Sequence, residues 1–176
     1  MSQLPPNSSD PGPRRLHPEV YLARRRARLE RVLQHSLVIP RATGVAPDRR
    51  AFLLEEAQEL YWNELEWEKL TAEEMAEGGS ALVELTFPGF LAFVDGLLLK
   101  HATADSKVPA CPRPEVVEDV LLFLATRCLE LIGSASPELR LEREMTERLI
   151  DLVLYRLHDL EVDAARRLDL SHLDEV

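Results

Sequence analysis

EVVEDVLLFLATRCLELI, residues 115–132, is the segment of this chain that most strongly indicates its fold. Its apolar residues cover nearly all sides of a helix, interrupted by Glu118, Asp119, Arg127 and Glu130. A helix of this kind has to be enclosed by other helices to keep those sides from water. Gly133 follows in the position of a C-terminal stop, since glycine readily adopts the left-handed conformation that ends many helices. The stretch predicts the central helix of an all-α bundle.

Helices are predicted on both sides of this centre. Ser136-Pro137-Glu138 is a strong start signal, a capping serine followed by proline at the first helical position, for a last helix that extends to about Arg167. A third helix is expected from Ser80 to about His101, with a kink or a split at Pro88-Gly89. The pair Gly78-Gly79 separates it from the preceding helix.

The second helix is predicted from Asp48, as its N-cap, to about Leu70. Its apolar row is expected to contain Leu53, Leu60 and Trp67. Thr71-Ala-Glu-Glu74 has the spacing of a capping box and predicts a fresh helical start at Thr71.

The segment from Pro18 to His35 predicts a basic amphipathic helix. At about 100° per residue, one stripe contains Leu22, Leu29, Val32 and Leu33, and the opposite side contains Arg24, Arg28 and Arg31. The helix is expected to end before Pro40, and an extended connector follows through Gly44.

No β-like alternation with glycine turns occurs along the chain, which favours an all-α, single bundle of five or six helices. The predicted divisions are a disordered tail at 1–17, the basic amphipathic helix and linker at 18–41, an acidic bundle at 42–170 and a tail at 171–176.

Composition indicates a globular chain of 176 residues with 45% hydrophobic residues. Cys111 and Cys128 are too few for a disulfide scaffold and lack zinc-site spacing. No apolar stretch approaches the roughly 20 residues of a membrane-spanning helix. The first seventeen residues lack the apolar core of a secretory signal, so a cytoplasmic location is expected, with an arginine-rich organellar transit peptide as the alternative.

Charge is distributed unevenly. Residues 1–50 hold ten arginines against four acids, a net of +6, while residues 51–176 carry a net of −16. The basic helix can dock on the acidic body of the same or another copy, bind nucleic-acid phosphates or lie on an anionic membrane. Docking on protein ranks first because the acidic body repels nucleic acid, and the helix offers a membrane little beyond Tyr21.

The segment 55–69, EEAQELYWNELEWEK, combines six glutamates with three large aromatic residues. Aromatic side chains dominate protein-binding hot spots, so Tyr61, Trp62 and Trp67 are predicted partner anchors together with the basic helix. Trp62 is the first candidate because its position points toward the glutamate-rich side. The alternative is that its ring covers an edge of the bundle.

A polar pocket is the competing prediction. Glu64 lies on the apolar face of the second helix, and Arg156 lies within the apolar stripe of the last. A buried Glu64–Arg156 ion pair is therefore expected, either as a structural pair or, with His158, as the lining of a pocket for a small anionic or amide ligand.

Sequence motifs do not favour an enzyme. No nucleophile elbow, phosphate loop, dinucleotide fingerprint or di-iron Glu-x-x-His spacing is present, so no catalytic residue, cofactor or metal site is predicted. The leading hypothesis is a non-catalytic helical protein–protein interaction module, an adaptor, regulator or assembly component. The alternatives are a ligand-binding or enzymatic bundle and a nucleic-acid binder that uses its arginine-rich arm.

Overall fold

The computed structural model of the protein describes residues 16–77, 87–99 and 111–160, apart from the side chains of 75–77. Within these ranges the chain forms five helices and no strand, which confirms the predicted all-α class there. The helices are α1 (Pro18–Leu33), α2 (Pro47–Glu77), α3 (Pro88–Leu97), α4 (Pro114–Leu131) and α5 (Pro137–Leu157). Apart from Leu16 and His17, the predicted tails lie outside the described residues.

All five helices begin with proline. Proline suits the first helical position because its fixed φ is already helical and the amide it lacks would have no partner there. The start predicted at Pro137 is confirmed, although Ser136 makes no side-chain capping hydrogen bond. Asp48 is not the cap of α2, since the helix begins one residue earlier and Asp48 lies in its first turn.

The helix α4 lies at the centre and packs against the other four helices. It ends at Leu131, and Gly133 follows with φ 81°. The predicted central helix and its glycine stop are confirmed. Its buried residues are Pro114, Glu115, Val116, Val117, Val120, Leu121, Leu124, Ala125, Cys128 and Leu131.

The helix α2 is continuous over 31 residues, so the fresh start predicted at Thr71 is wrong. Thr71 Oγ1 donates a hydrogen bond to the carbonyl of Trp67 one turn back (2.9 Å), which satisfies the hydroxyl inside an unbroken helix. The buried row of α2 is Leu53, Ala57, Tyr61, Leu65, Glu68 and Ala72.

This buried row differs from the predicted one. Trp67 is 72% exposed, although the spacing placed it with Leu53 and Leu60 on the apolar face. Steps of four residues advance about 40° around a helix. The row through Ala57, Tyr61 and Leu65 therefore rotates away from the row at seven-residue spacing that ends at Trp67.

The helix α3 begins at Pro88 and ends at Leu97, short of the predicted end at His101. Phe87, immediately before it, has a left-handed φ of 35°, so the helical conformation begins only at Pro88. The predicted stop at Gly78-Gly79 and start at Ser80 lie outside the described residues.

The helix α5 ends at Leu157, and a continuous helix to Arg167 is therefore wrong. Asp159 takes a left-handed φ of 53°, and the amide of Leu160 bonds to the carbonyl of Tyr155 (2.9 Å), which closes a terminal turn.

Candidate interaction surface

The outward side of α2 carries four large apolar side chains among glutamates. Trp67 is 72% exposed, Leu70 51%, Phe52 47% and Trp62 43%. At about 100° per residue, they share the side of the helix opposite the buried row. We call this side the α2 outer face, which consists of Phe52, Glu55, Glu59, Trp62, Asn63, Glu66, Trp67 and Leu70.

Trp62 lies at the edge of the bundle. Its ring meets the buried Tyr61 edge-on at 4.9 Å between centroids, and the Arg127 guanidinium lies 5.1 Å from its centroid. Trp62 thus contacts Arg127 of α4 and is also partly exposed to solvent, and Trp67 is the more exposed of the two tryptophans.

A buried ion-pair network, formed by Lys69, Arg127 and Glu142, fixes α2 against α4 and α5. The Glu142 carboxylate, 4% exposed, accepts hydrogen bonds from Lys69 Nζ (3.2 Å) and Arg127 Nε (2.8 Å). Desolvation lowers the pKa of Lys69, but its hydrogen bond and charge attraction with Glu142 outweigh that effect and raise it. Sequence reasoning missed this network because its members lie far apart in the chain.

Tyr61 is fully buried and cannot serve as the exposed anchor that the sequence suggested. Its hydroxyl pairs with Thr146 Oγ1 (2.7 Å), and Thr146 in turn donates to the Glu142 carbonyl (2.7 Å). Burial, opposed by the Thr146 hydrogen bond, raises the pKa of Tyr61 to about 12. Tyr61 therefore stays a neutral core side chain that positions α2.

The predicted Glu64–Arg156 pair is wrong. Glu64 accepts the backbone amides of Gly89 (2.6 Å) and Phe90 (2.8 Å) at the start of α3. Arg156 instead pairs through Nε with Asp95 (3.1 Å). Both residues hold α3, but they do so separately because each finds a partner on that helix.

His158, the third predicted pocket residue, belongs to a different contact. Its Nε2 accepts a hydrogen bond from Arg26 Nε (3.1 Å), and its Nδ1 lies 3.0 Å from the carbonyl of Val38. The structure therefore does not bring Glu64, Arg156 and His158 together as one site.

The helix α1 is docked on α4 and α5 through its inward side. Arg25 donates to Asp151 through Nε (3.1 Å) and Nη2 (2.8 Å), and Arg26 pairs with Glu118. Neither arginine was predicted as a site residue, because both lie next to the predicted basic row rather than in it.

The predicted site residues of α1 differ in their exposure to solvent. Leu22 and Leu29 are 2% and 7% exposed, so a partner cannot reach them while α1 is docked, and Leu33 is half-buried. Val32 is 39% exposed instead of lying in the apolar stripe. Arg24 and Arg31 are exposed, whereas Arg28 is half-buried.

An open groove of about 310 Å³ runs between α2 and α4. It is lined by Leu54, Gln58, Asp119, Leu122, Phe123 and Thr126. The Asp119 carboxylate is already engaged by Arg50 Nη2 (2.8 Å). The lining suits an apolar side chain better than acid–base chemistry.

Both cysteines are free, Cys111 exposed and Cys128 buried. Burial raises the pKa of Cys128 to about 12, which makes it an inert core thiol. Over the described ranges, no group of three or more His, Cys, Asp or Glu side chains is arranged to hold a metal ion. No described helix combines the length and apolarity needed to cross a bilayer.

Comparison of the chain with protein-family models, curated proteins and solved structures finds no match.

Proposed function

We propose that the protein is a non-catalytic helical protein–protein interaction module, an adaptor, regulator or assembly component, that binds its partner through the α2 outer face. The observation that carries the proposal is Trp67, which is 72% exposed beside Leu70 on a helix whose opposite side is buried in the core. Exposed apolar groups rimmed by charge mark interaction sites, and tryptophan is enriched in binding hot spots.

The rigidity of α2 supports this role. Lys69 and Tyr61 tie the inward side of the helix to α5 through Glu142 and Thr146. A binding face that is already ordered loses little conformational entropy when a partner docks.

In this module, α1 is the basic amphipathic helix that the sequence predicts. Leu22 and Leu29 face the core, while Arg24 and Arg31 are exposed on the other side. The free thiols Cys111 and Cys128 support a reducing, cytoplasmic setting for the module.

The other predicted functions have less support. The predicted pocket residues have separate partners, and the α1 arginines Arg25 and Arg26 are engaged by carboxylates, which leaves fewer cations for nucleic-acid phosphates.

The test compares Trp67→Ala with Ile132→Ala in the tagged full-length protein. Ile132 is a matched control because it is also apolar and 56% exposed but lies at the end of α4. Each protein is incubated with nuclease-treated lysate from the source cells, and the retained proteins are quantified by mass spectrometry. We expect the unmodified protein and Ile132→Ala to retain the same protein, and Trp67→Ala to retain about tenfold less, as for a hot-spot residue. Equal retention by Trp67→Ala, with an unchanged circular dichroism spectrum, would overturn the proposal.

A further inference from the structure

We infer that the α2 outer face binds the outward side of α1 in a second copy of this chain, an inference that rests on the proposed function.

The outward side of α1 is small and cationic. We call it the α1 outer face, and its exposed members are Val20, Ala23, Arg24, Ala27 and Arg31. Val20 is 43% exposed, and the two alanines leave room for a neighbouring helix to approach closely. This face offers positive charge and shallow apolar surface, while the α2 outer face offers glutamates and large rings.

The spacing of opposite charges matches on the two faces. Arg24 and Arg31 lie two helical turns apart, as do Glu59 and Glu66, which is about 10 Å along each axis. In an antiparallel alignment, one register satisfies both ion pairs and also matches the apolar residues. Its facing pairs are Val20 with Leu70, Ala23 with Trp67, Arg24 with Glu66, Ala27 with Asn63 and Arg31 with Glu59.

The antiparallel orientation has a second advantage, because it places opposite ends of the two helix dipoles side by side. Two aromatic rings on this side of α2 already contact guanidinium groups within the molecule. Arg49 lies 5.3 Å from the ring centroid of Phe52, and Arg127 lies 5.1 Å from that of Trp62. Aromatic rings on this side of α2 therefore accept guanidinium groups.

The two faces need a second copy in order to meet. Within one molecule, Arg25 and Arg26 tie the inward side of α1 to Asp151 and Glu118, and Leu22 lies in the core. The α1 outer face thus points away from the bundle, as does the α2 outer face. Two copies related by a two-fold axis form the contact twice, in a closed dimer. A rotation that does not close instead joins many copies into an open-ended assembly.

Charge reversal tests the contact better than salt does. Salt weakens the ion pairs, but it also screens the repulsion between copies that each carry a net charge of −10. The two reversed proteins are Arg24→Glu/Arg31→Glu, which leaves both faces acidic, and Glu59→Arg/Glu66→Arg, which leaves both faces basic.

The molar mass of each full-length protein is measured by sedimentation from about 1 µM to about 500 µM, a range that suits a small, weak interface. We expect the unmodified protein to associate and each reversed protein to associate about tenfold more weakly. An equimolar mixture of the two, and a protein that carries all four substitutions, should associate again. Glu59→Arg/Glu66→Arg is decisive because its net charge falls to −6, so general repulsion alone would make it associate more.

The register is tested by disulfide trapping in a Cys111→Ser background. Ala27→Cys mixed with Asn63→Cys should form a cross-linked dimer, and Ala27→Cys mixed with Glu55→Cys should not, because Glu55 lies about 12 Å further along α2. Cross-linking of both mixtures to the same extent would contradict the register.

The failure of this inference is distinct from failure of the proposed function. A protein that stays monomeric throughout, or that associates equally well after either charge reversal, would overturn the self-contact. Loss of another captured protein in Trp67→Ala would still support the α2 outer face as the binding surface. If Trp67→Ala changed neither capture nor self-association, both proposals would be wrong.

Discussion

The Glu64 carboxylate caps the start of α3, accepting the backbone amide of Gly89 at 2.6 Å across 25 residues of sequence. Its second oxygen accepts the amide of Phe90 at 2.8 Å. One turn further along α2, Glu68 accepts the amide of Phe87 at 3.0 Å. The first amides of a helix have no partner within it, and a carboxylate also complements the positive end of the helix dipole. Two glutamates of α2 therefore fix where and how α3 begins.

Gly89→Ala should destabilise the protein by about 1–3 kcal/mol. A Cβ at Gly89 would lie 2.7 Å from Glu64 Oε1, so the cap has to move. Glu64→Gln should cost about 1 kcal/mol because it keeps the shape but removes the charge-assisted bonds. Urea unfolding measures both, and the double mutant should lose less than the sum because both changes damage the same cap.

Gly96→Ala in the same helix is the matched control for this prediction. A Cβ there meets nothing within 4 Å. Since alanine is the better helix former, Gly96→Ala should stabilise the protein by about 0.5–1 kcal/mol. Equal effects at Gly89 and Gly96 would show that helix propensity, not the Glu64 cap, determines the result.

The central helix could be predicted because its signal is contained in its own residues. The stretch 115–132 is apolar on nearly all sides, and the structure encloses it with the other four helices. Proline at the first helical position marks each helix start, and wider use of that rule would have placed the starts at Pro47 and Pro88.

The partners of the carboxylates could not be predicted. Glu64 bonds to amides 25 and 26 residues away, and Glu142 pairs with Lys69 across 73 residues. Periodicity gives the side of a helix on which a residue lies, but the residue that faces it depends on how the helices pack. The exposure of Trp67 was not predicted because counting every seventh residue from Leu53 selects a row of the helix that is rotated away from the buried row.

Glu142→Gln should destabilise the protein by about 3 kcal/mol, since it leaves Lys69 and Arg127 near the interior without their common counter-charge. Glu130→Gln is the matched control. Glu130 also pairs with Arg127 (3.2 Å), but its side chain is 55% exposed, so its loss should cost at most about 0.5 kcal/mol. Chemical unfolding of both variants checks the prediction, and similar losses would mean that burial of the Glu142 network contributes little.

Glu115→Gln should remove an acid-sensitive part of the stability. The Glu115 carboxylate accepts hydrogen bonds from the amide (2.9 Å) and the hydroxyl (2.8 Å) of Thr43 and from the amide of Val45 (3.0 Å). These bonds tie the connector before α2 to α4. Desolvation raises the pKa of Glu115, but these hydrogen bonds outweigh it and lower the pKa to about 2. The contribution of Glu115 to the free energy of unfolding is therefore complete above the pKa of about 4.3 that a glutamate has in the unfolded chain. It is lost as the pH falls toward 2.

Unfolding free energies of the unmodified protein and Glu115→Gln, measured from about pH 6 to about pH 2.5, should converge as the pH falls. Glu144→Gln, at an exposed position of α5, is the control and should follow the unmodified protein at every pH. A gap between Glu115→Gln and the unmodified protein that stays constant with pH would contradict the role of the Glu115 carboxylate.

His158 should make the docking of α1 sensitive to pH. Its Nε2 accepts a hydrogen bond from Arg26 Nε, so the ring is neutral with its proton on Nδ1, facing the carbonyl of Val38. Burial lowers the pKa of His158 and the Arg26 charge adds to that effect, while the Val38 hydrogen bond and the nearby Glu118 and Glu30 oppose it. In the unfolded chain, the pKa of a histidine is about 6.5. Below that pH the unfolded chain binds a proton more readily than the folded chain does. The free energy of unfolding therefore falls as the pH drops from about 6.5 through the lowered pKa of His158 in the folded chain.

His158→Gln should remove this pH dependence, because a glutamine amide can accept from Arg26 and donate to Val38 at any pH. The measurement is the unfolding free energy from about pH 7.5 to about pH 5, the range in which an unperturbed histidine titrates. His35→Gln, at an exposed position just after α1, is the control and should keep the pH dependence of the unmodified protein. Identical pH profiles for His158→Gln and the unmodified protein would mean that the Arg26–His158 bond does not couple protonation to the docking of α1.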